Sequence, residues 1–441
     1  MPRRRILHAV TAHLAPAATA TPSEPAAATP PPSRERAVVV GGARTPFAKA
    51  FGDLAHLDAI ALGVVAVKGL VEKLAIDPEI IDEVVFGNVV VNVAAPNVAR
   101  EVVLDADLPR HISGTTVVCQ CLSGLECVAQ AARLVEAGDA SCVVAGGSDS
   151  TSSGEIALDR SLGLVLGKYV MGGGNKEGMK GLMALLRGVA GAKKTPNQPS
   201  VAERSTGKTM GFHADLMAEL NNVERDEQDL WAIESHLKAT AARQAGLLAQ
   251  EIVPAPAAGG DGDSVSLDGL IRETGMTAER LAKLGGVFRK PGQAEPDAGL
   301  DGNGAGRVTA ATSSALTDGA SAVLIMSESA ALAAGQPTDI VVATYVKSSV
   351  DPYPQLLLAP AVAIPAALAK AGLTLDQIDV FEIHEAFSAQ VLATLACLES
   401  EEFAKDWLPA EYGGKAVGTI PREKINPNGS SIGARLPVCL H

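Results

Sequence analysis

The stretch Thr115-Thr116-Val117-Val118-Cys119-Gln120-Cys121-Leu122-Ser123-Gly124-Leu125 passes from a β-branched run into a helical pattern, with two cysteines at the joint. Thr115 to Val118 reads as a strand. From Ser123 to Ala137 the residues Leu125, Val128, Ala132 and Val135 share one helical face, and Gly138 supplies a C-terminal cap. Cys142 to Ala145 is the next strand. Strand, turn, helix, strand is the unit of an α/β fold.

Upstream, Ala37 to Val40 is a short β-branched run that meets Gly41-Gly42, Leu54 to Leu74 has helical spacing, and Ile81 to Gly87 is a second strand. Downstream, Met171-Gly172-Gly173-Gly174, the basic Lys193-Lys194 and the acidic helical stretch Asn222 to Ala242 interrupt the alternation and read as an inserted lobe. Gly- and Asp-rich segments at Gly259 to Asp263 and Ala294 to Gly306 read as surface loops before a second series begins at Val308. That series partly repeats the first. Lys73-Leu74-Ala75-Ile76-Asp77 with Ile81 to Phe86 matches Lys370 to Asp376 with Ile378 to Ile383, each a helix end, an Asp-initiated turn and a strand. The reading is therefore a leader and linker over 1–36, a first half over 37–305 with an inserted lobe at about 151–250, and a second half over 306–441.

At 441 residues the chain exceeds what one hydrophobic core supports, so two packed units are expected. Hydrophobic residues make up 47% and charged residues 20%, which excludes a disordered or fibrous chain. A formal charge of -13 and 3% aromatic residues disfavour a nucleic-acid partner, because there is little to neutralise phosphates or stack on bases. No apolar run reaches the roughly 18 residues of a membrane span. The longest, Leu356 to Ala369, carries Pro360 and Pro365. Six cysteines in this length are too few for a disulfide scaffold and point to a reducing compartment. The first 36 residues hold Arg3, Arg4 and Arg5, no acid before Glu24, and an Ala, Thr, Ser and Pro tract, a composition similar to an organellar transit peptide. A bacterial low-complexity tail or a misassigned leader fits the same composition.

Cys121 stands just after a strand and just before a helix, where backbone N–H groups and the helix dipole favour a thiolate. Such a group is a ready nucleophile. Two other readings stay open. Cys119 and Cys121 also suit small buried hydrophobes, and Cys-x-Cys supplies two metal ligands but lacks a second pair at ligand spacing.

These residues carry a family resemblance. Cys121-Leu122-Ser123-Gly124-Leu125 with Ala145-Gly146-Gly147-Ser148 resembles the nucleophile segment of the thiolases, and Ala43-Arg44-Thr45-Pro46-Phe47 resembles their opening strand and loop. The similarity continues through Thr209-Met210-Gly211, Gly306-Arg307-Val308-Thr309-Ala310 with Asp318-Gly319-Ala320, and His384-Glu385-Ala386-Phe387. His384 and Leu356-Leu357-Leu358-Ala359-Pro360 resemble the β-subunit type of the trifunctional fatty-acid oxidation complex.

The resemblance implies an α/β, thiolase-like fold, with two similar βαβαβαββ halves in a layered αβαβα arrangement and an inserted loop lobe. It implies a 3-oxoacyl-CoA thiolase in which Cys121 is the nucleophile and His384 an oxyanion donor at the end of the strand Val380 to Ile383. Coenzyme A is then a substrate, and no resident cofactor or metal is expected. It further implies acyl-CoA and CoA as ligands, a homodimer, a partner α-subunit with enoyl-CoA hydratase and 3-hydroxyacyl-CoA dehydrogenase activities, and a mitochondrial site, or the cytoplasm in a bacterium. His213 falls near the family's pantetheine channel by resemblance and equally suits a solvated helix position. His236 is expected on an exposed acidic face. The cations from Lys176 to Lys208 fall in the lobe likened to the CoA-binding loop.

The chain departs from the family in places. Asn426-Pro427-Asn428-Gly429-Ser430-Ser431-Ile432 leads up to the expected Gly-His-Pro, but Gly433-Ala434-Arg435-Leu436 resembles what should follow it. The relay His is thus missing, the last elements of the second half are expected to be absent, and Cys439 lacks the glycines of the family's second cysteine. Thr312 stands where related sequences usually have Asn. The alternative reading is a non-catalytic thiolase-fold subunit that binds CoA or serves assembly. A condensing synthase fits less well, because it needs two catalytic histidines in the second half and only His384 qualifies.

Overall fold

The computed structural model of the chain describes residues 35–193, 201–259 and 262–433. The leader before residue 35, Lys194, and Ala434 to His441 with Cys439 lie outside the described residues. The strands are β1 (Ala37–Arg44), β2 (Ala48–Lys49), β3 (Glu83–Gly87), β4 (Ser113–Val117), β5 (Cys142–Ser150), β6 (Ala255–Pro256), β7 (Ser264–Val265) and β8 (Thr317–Ser327). The helices are α1 (Ala59–Leu74), α2 (Val98–Asp105), α3 (Ser123–Ala137), α4 (Arg160–Val170), α5 (Met179–Gly191), α6 (Met210–Leu220), α7 (Arg225–Gln244), α8 (Ala278–Leu281), α9 (Glu328–Ala333), α10 (Ala359–Ala371), α11 (Ser388–Leu398) and α12 (Glu401–Trp407).

The main sheet runs β1-β8-β5-β3-β4, with β2 also on β8. β3 is parallel to β4 and to β5, whereas β8 lies antiparallel between β5 and β1. β8 follows the Gly306 boundary in sequence yet belongs to this first sheet. On one face the core joins Leu62, Ala66 and Leu70 of α1 and Val102 of α2 to Val84, Val144 and Leu324. On the other, Cys127, Ala131 and Val135 of α3 pack on Val85, Val143 and Ile325. Helices on both faces make this a layered α/β arrangement.

Local chemistry explains these elements. Asp58 starts α1 by accepting the Ala61 N–H at 2.8 Å, and Gly138 ends α3 with φ 78°, a conformation glycine adopts without strain. At Gly87 an added Cβ would lie 2.8 Å from Ser123 Cβ, so the bare backbone lets the first turn of α3 rest on the end of β3.

The repeated segment is visible in three dimensions. α1 ends in left-handed Ala75, a short 3₁₀ turn spans Pro78–Ile80, and β3 follows. α10 ends in left-handed Gly372, a 3₁₀ turn spans Leu375–Gln377, and extended chain follows. There the copies diverge. The strand expected at Val380 to Ile383 is a single parallel bridge, Phe381 to Ile425, with Phe381 N–H donating to Lys424 O at 2.8 Å and Asn426 N–H to Phe381 O at 2.9 Å. A ladder needs several successive pairs on a neighbouring strand, and only this one forms among the described residues.

Around α11 the second half is helical. Phe387, Ala389, Ala393 and Cys397 pack with Ala214 and Met217 of α6, Ala361 of α10 and Phe403 of α12. Trp231 and Ala232 of α7 join Val391, Leu398 and Ile425. Of the segment likened to a lobe, α6 and α7 are thus core helices, while α4 and α5 expose Leu164, Val170, Met179 and Leu186. No helix among the described residues is long and apolar enough to cross a membrane.

Candidate active site

Cys121 sits on the crest of a tight turn between β4 and α3. Gln120 adopts φ 52°, an uncommon conformation for a residue with a side chain. Buried Ser123 holds it there: its Oγ donates to Gln120 O at 2.6 Å and accepts the Cys119 N–H at 2.9 Å. Cys121 is exposed, whereas Cys127, Cys142 and Cys397 are buried. No side chain caps the first turn of α3.

The electrostatics correct the expectation of a resting thiolate. The protein around the sulfur displaces enough water to push the Cys121 thiol above its usual pKa, although the residue reaches solvent, and the Asp149 carboxylate adds to the rise. The hydrogen bond from its own backbone N–H works the other way and is the smaller effect. Asp149 is fixed at the end of β5, where its Oδ1 accepts Asn88 Nδ2 at 3.1 Å, Val89 N–H at 2.9 Å and Val90 N–H at 2.8 Å.

His384 lies between the Phe381 bridge and α11, held by a network the sequence did not announce. Its Nδ1 hydrogen-bonds Ser431 Oγ. That oxygen also accepts the Glu385 N–H at 3.3 Å, so Ser431 ties the imidazole to the backbone that follows it. Burial lowers the His384 pKa to about 3, so the ring is neutral at physiological pH.

Beside it, the buried Glu385 carboxylate accepts Ser235 Oγ at 2.6 Å, Asn426 Nδ2 at 2.9 Å, Trp231 Nε1 at 3.0 Å and Ile432 N–H at 3.2 Å. Asn426 clamps the same strip, taking the Ile383 N–H at 2.7 Å and donating to Ile383 O at 2.9 Å. The Asn426–Ile432 turn, noticed in the sequence only as a lead-in, therefore orients His384.

The two centres share a connecting segment. Ser314 N–H bonds Ala386 O at 2.9 Å and Ser314 Oγ bonds Ser431 O at 3.2 Å, while β8, just beyond, pairs Asp318 with Ser150 next to Asp149. Thr312 is buried under the start of α11, its carbonyl taking the Ser388 N–H at 2.9 Å.

His236 is placed differently from expectation, and of the two readings of His213 the solvated one does not hold. His236 is buried, not exposed, because α7 turns Gln228, Trp231, Ser235 and His236 inward together, and its Nδ1 accepts the Arg272 N–H at 3.2 Å. His213 is fully buried in α6 and not solvated, with Nε2 at 3.0 Å from Thr206 Oγ1. Of the cations from Lys176 to Lys208, Lys208 lies over the Phe212 ring at 4.5 Å. Among the described residues no cluster of three or more His, Cys, Asp or Glu is arranged to hold a metal.

With this geometry in hand, the relatives are informative. Residues 37–329 match the family "Thiolase, N-terminal domain" and residues 337–439 match "Thiolase, C-terminal domain". The mitochondrial trifunctional enzyme subunit beta of Bos taurus is 37% identical over 402 residues, covering 91% of this chain and 79% of the relative. A probable 3-ketoacyl-CoA thiolase of Caenorhabditis elegans is 36% identical over 395 residues, covering 90% and 83%. The 3-ketoacyl-CoA thiolase of Yersinia enterocolitica is 36% identical over 403 residues, covering 90% and 86%. The crystal structure of the Bacillus anthracis acetyl-CoA acetyltransferase superimposes with a TM-score of 0.75 at 27% identity, covering 92% of this chain and 89% of its own.

Proposed function

The chain belongs to the thiolase family, and from that premise we propose how a 3-oxoacyl-CoA thiolase of fatty-acid β-oxidation is built from these residues. The observation that carries the proposal is the exposed Cys121 on a fixed turn at the mouth of α3. Its sulfur attacks the 3-keto carbon of a 3-oxoacyl-CoA, and the S–C bond forms as the C2–C3 bond breaks. Acetyl-CoA leaves as an enolate that takes up a proton. The thiol of a second CoA then attacks the acyl-enzyme and releases the shortened acyl-CoA. Charge builds on a carbonyl oxygen at each attack, and the neutral His384 is the donor assigned to it. Acyl transfer between thiols needs no redox partner, so coenzyme A enters as substrate and no resident cofactor is invoked.

The Cys121 thiol must lose its proton before attack, and its raised pKa makes that loss costly. Residues 426–433 run through Ser431-Ile432-Gly433 with no Gly-His-Pro to supply a relay histidine. Missing general acid–base assistance typically costs about 10²- to 10⁴-fold in rate, so turnover is expected to be slow by that factor. The competing reading, a scaffold that binds CoA without turnover, draws on the same raised pKa.

The composition of the leader and the similarity to the bovine mitochondrial trifunctional enzyme subunit beta support a mitochondrial location, and the same similarity supports a partner α-subunit. A homodimer is supported by β4, an edge strand with no described strand on its outer side.

The test is loss of acetoacetyl-CoA and of a longer 3-oxoacyl-CoA when CoA is added, with mass spectrometry of the Cys121 peptide. An acyl group on Cys121 that disappears on adding CoA supports the proposal. No acyl-enzyme with either substrate leaves the scaffold reading standing.

A further inference from the structure

Cys119, half-buried and two positions before Cys121, has Lys347 Nζ 3.2 Å from its Sγ. The contact is built in from several sides. Lys347 Nζ also lies 3.3 Å from Glu126 Oε2, and Glu126, buried in α3, accepts a hydrogen bond from Tyr345 and one from Gln130 Nε2 at 3.1 Å. Arg133 adds an ion pair to Glu126 at 3.7 Å and covers the Tyr345 ring at 4.9 Å. The strip bearing Tyr345 and Lys347 is tied to β1 by the Val342 N–H to Ala37 O bond at 3.0 Å. The Lys347 side chain is 44% exposed, so a soluble reagent reaches the pair. The acyl transfer proposed for Cys121 and His384 uses none of these groups.

We propose that Cys119 and Lys347 form a self-acylation site for acyl-CoA thioesters, in which the acyl group lands on Cys119 and passes to Lys347. It rests on the thiolase reading only in that this reading supplies acyl-CoA. In the first step Cys119 Sγ attacks the thioester carbonyl, the bond to the CoA sulfur breaks, and CoA departs as a thiol carrying the proton Cys119 gave up. In the second, the Lys347 ammonium loses one proton to solvent, the neutral amine attacks the Cys119 thioester, and an amide forms as the C–S bond breaks. The amine's second proton returns to Cys119 as its thiol. The sum consumes acyl-CoA and the Lys347 ammonium and yields acyl-lysine, CoA and one proton, with no oxidant or cofactor. Proximity is what makes the second step fast, since a sulfur and a nitrogen in contact replace a bimolecular encounter. The product removes the Lys347 charge and with it the ion pair to Glu126 on α3, the helix that carries Cys121.

The full chain is incubated with acetyl-CoA and digested, and acetylation of Lys347, of Cys119, of Cys121 and of the exposed Lys168 is followed by mass spectrometry. Lys347 is expected to be acetylated at least about tenfold faster than Lys168. Cys119→Ser should reduce the Lys347 rate to that of Lys168, with an unchanged thermal melt showing that the variant folds. In Lys347→Arg the acetyl group should remain on Cys119 as a hydroxylamine-sensitive thioester. Equal Lys347 rates in the wild type and Cys119→Ser overturn the proposal, as does the absence of a Cys119 thioester in Lys347→Arg. An acyl group on Cys121 with none on Lys347 overturns this inference alone, and the reverse pattern overturns the assignment of Cys121 alone.

Discussion

Replacing Glu385 by Gln tests whether the hydrogen-bond network fixes His384. The carboxylate takes four donors, two on each oxygen: Trp231 Nε1 at 3.0 Å and Asn426 Nδ2 at 2.9 Å on Oε1, Ser235 Oγ at 2.6 Å and Ile432 N–H at 3.2 Å on Oε2. Gln offers one acceptor oxygen and one NH₂. With the amide oxygen at Oε1, the NH₂ meets the Ile432 N–H, which cannot turn, and the Ser235 hydroxyl, which already accepts the Gly433 N–H at 2.9 Å. With the oxygen at Oε2, the NH₂ meets the Trp231 N–H and the Asn426 Nδ2 group, neither of which can accept. Each arrangement strands one or two buried donors, at about 1–3 kcal/mol each. An opposing effect is relief of charge burial, the main cause that raises the Glu385 pKa. A net loss of about 2–4 kcal/mol is expected, read as a lower urea midpoint with an unchanged slope. The rate of acyl-enzyme formation on Cys121 should fall as well, because Glu385 follows His384 in the chain and shares Ser431 with it. A Glu385→Gln protein within about 0.5 kcal/mol of wild type refutes the reasoning, since a change that small is what an ordinary surface substitution gives. A Glu385→Leu protein more stable than Glu385→Gln refutes it too, because the carboxylate would then be a net cost.

Alkylation of Cys121 by iodoacetamide should have its pH midpoint above the ordinary cysteine value of about 8.5, because desolvation disfavours the thiolate; a midpoint below it contradicts the assigned cause. Gly146→Ala puts a Cβ 2.1 Å from Ser321 O on β8 and should cost about 1–3 kcal/mol or more in urea unfolding, with wild-type stability as the contrary result. Arg289→Met removes a buried guanidinium 2.7 Å from Glu219 and 3.4 Å from Asp215 and should cost about 3–5 kcal/mol at neutral pH. Burial already raises the Asp215 carboxyl and the Arg289 charge works against that rise, so without the cation its protonation on lowering the pH favours folding and the deficit should shrink; a deficit independent of pH counts against an uncompensated charge as its origin.

What the sequence made legible is local. The 3.6-residue spacing of Leu125, Val128, Ala132 and Val135 with Gly138 behind it specifies α3 to the residue, Ser123–Ala137, since each signal acts within one turn of chain. The helix end, αL residue and 3₁₀ turn recur in both halves for the same reason. β8 was not legible in its place, because its pairing with β5 and β1 joins residues far apart in the chain and no local pattern encodes which edges meet. His236 was misread because polarity marks a surface only until another segment covers it. Gln228, Ser235 and His236 lie on the inward face of α7, and the Arg272 backbone reaches His236. The largest gap between sequence and site lies at Cys121. Position at a helix start predicts a lowered thiol pKa, and that dipole acts within a single turn. Desolvation depends on every segment that closes over the sulfur, and Asp149 arrives from the end of a different strand. The sign of the shift is therefore a property of the assembled fold, and the local rule that locates the nucleophile cannot state its charge.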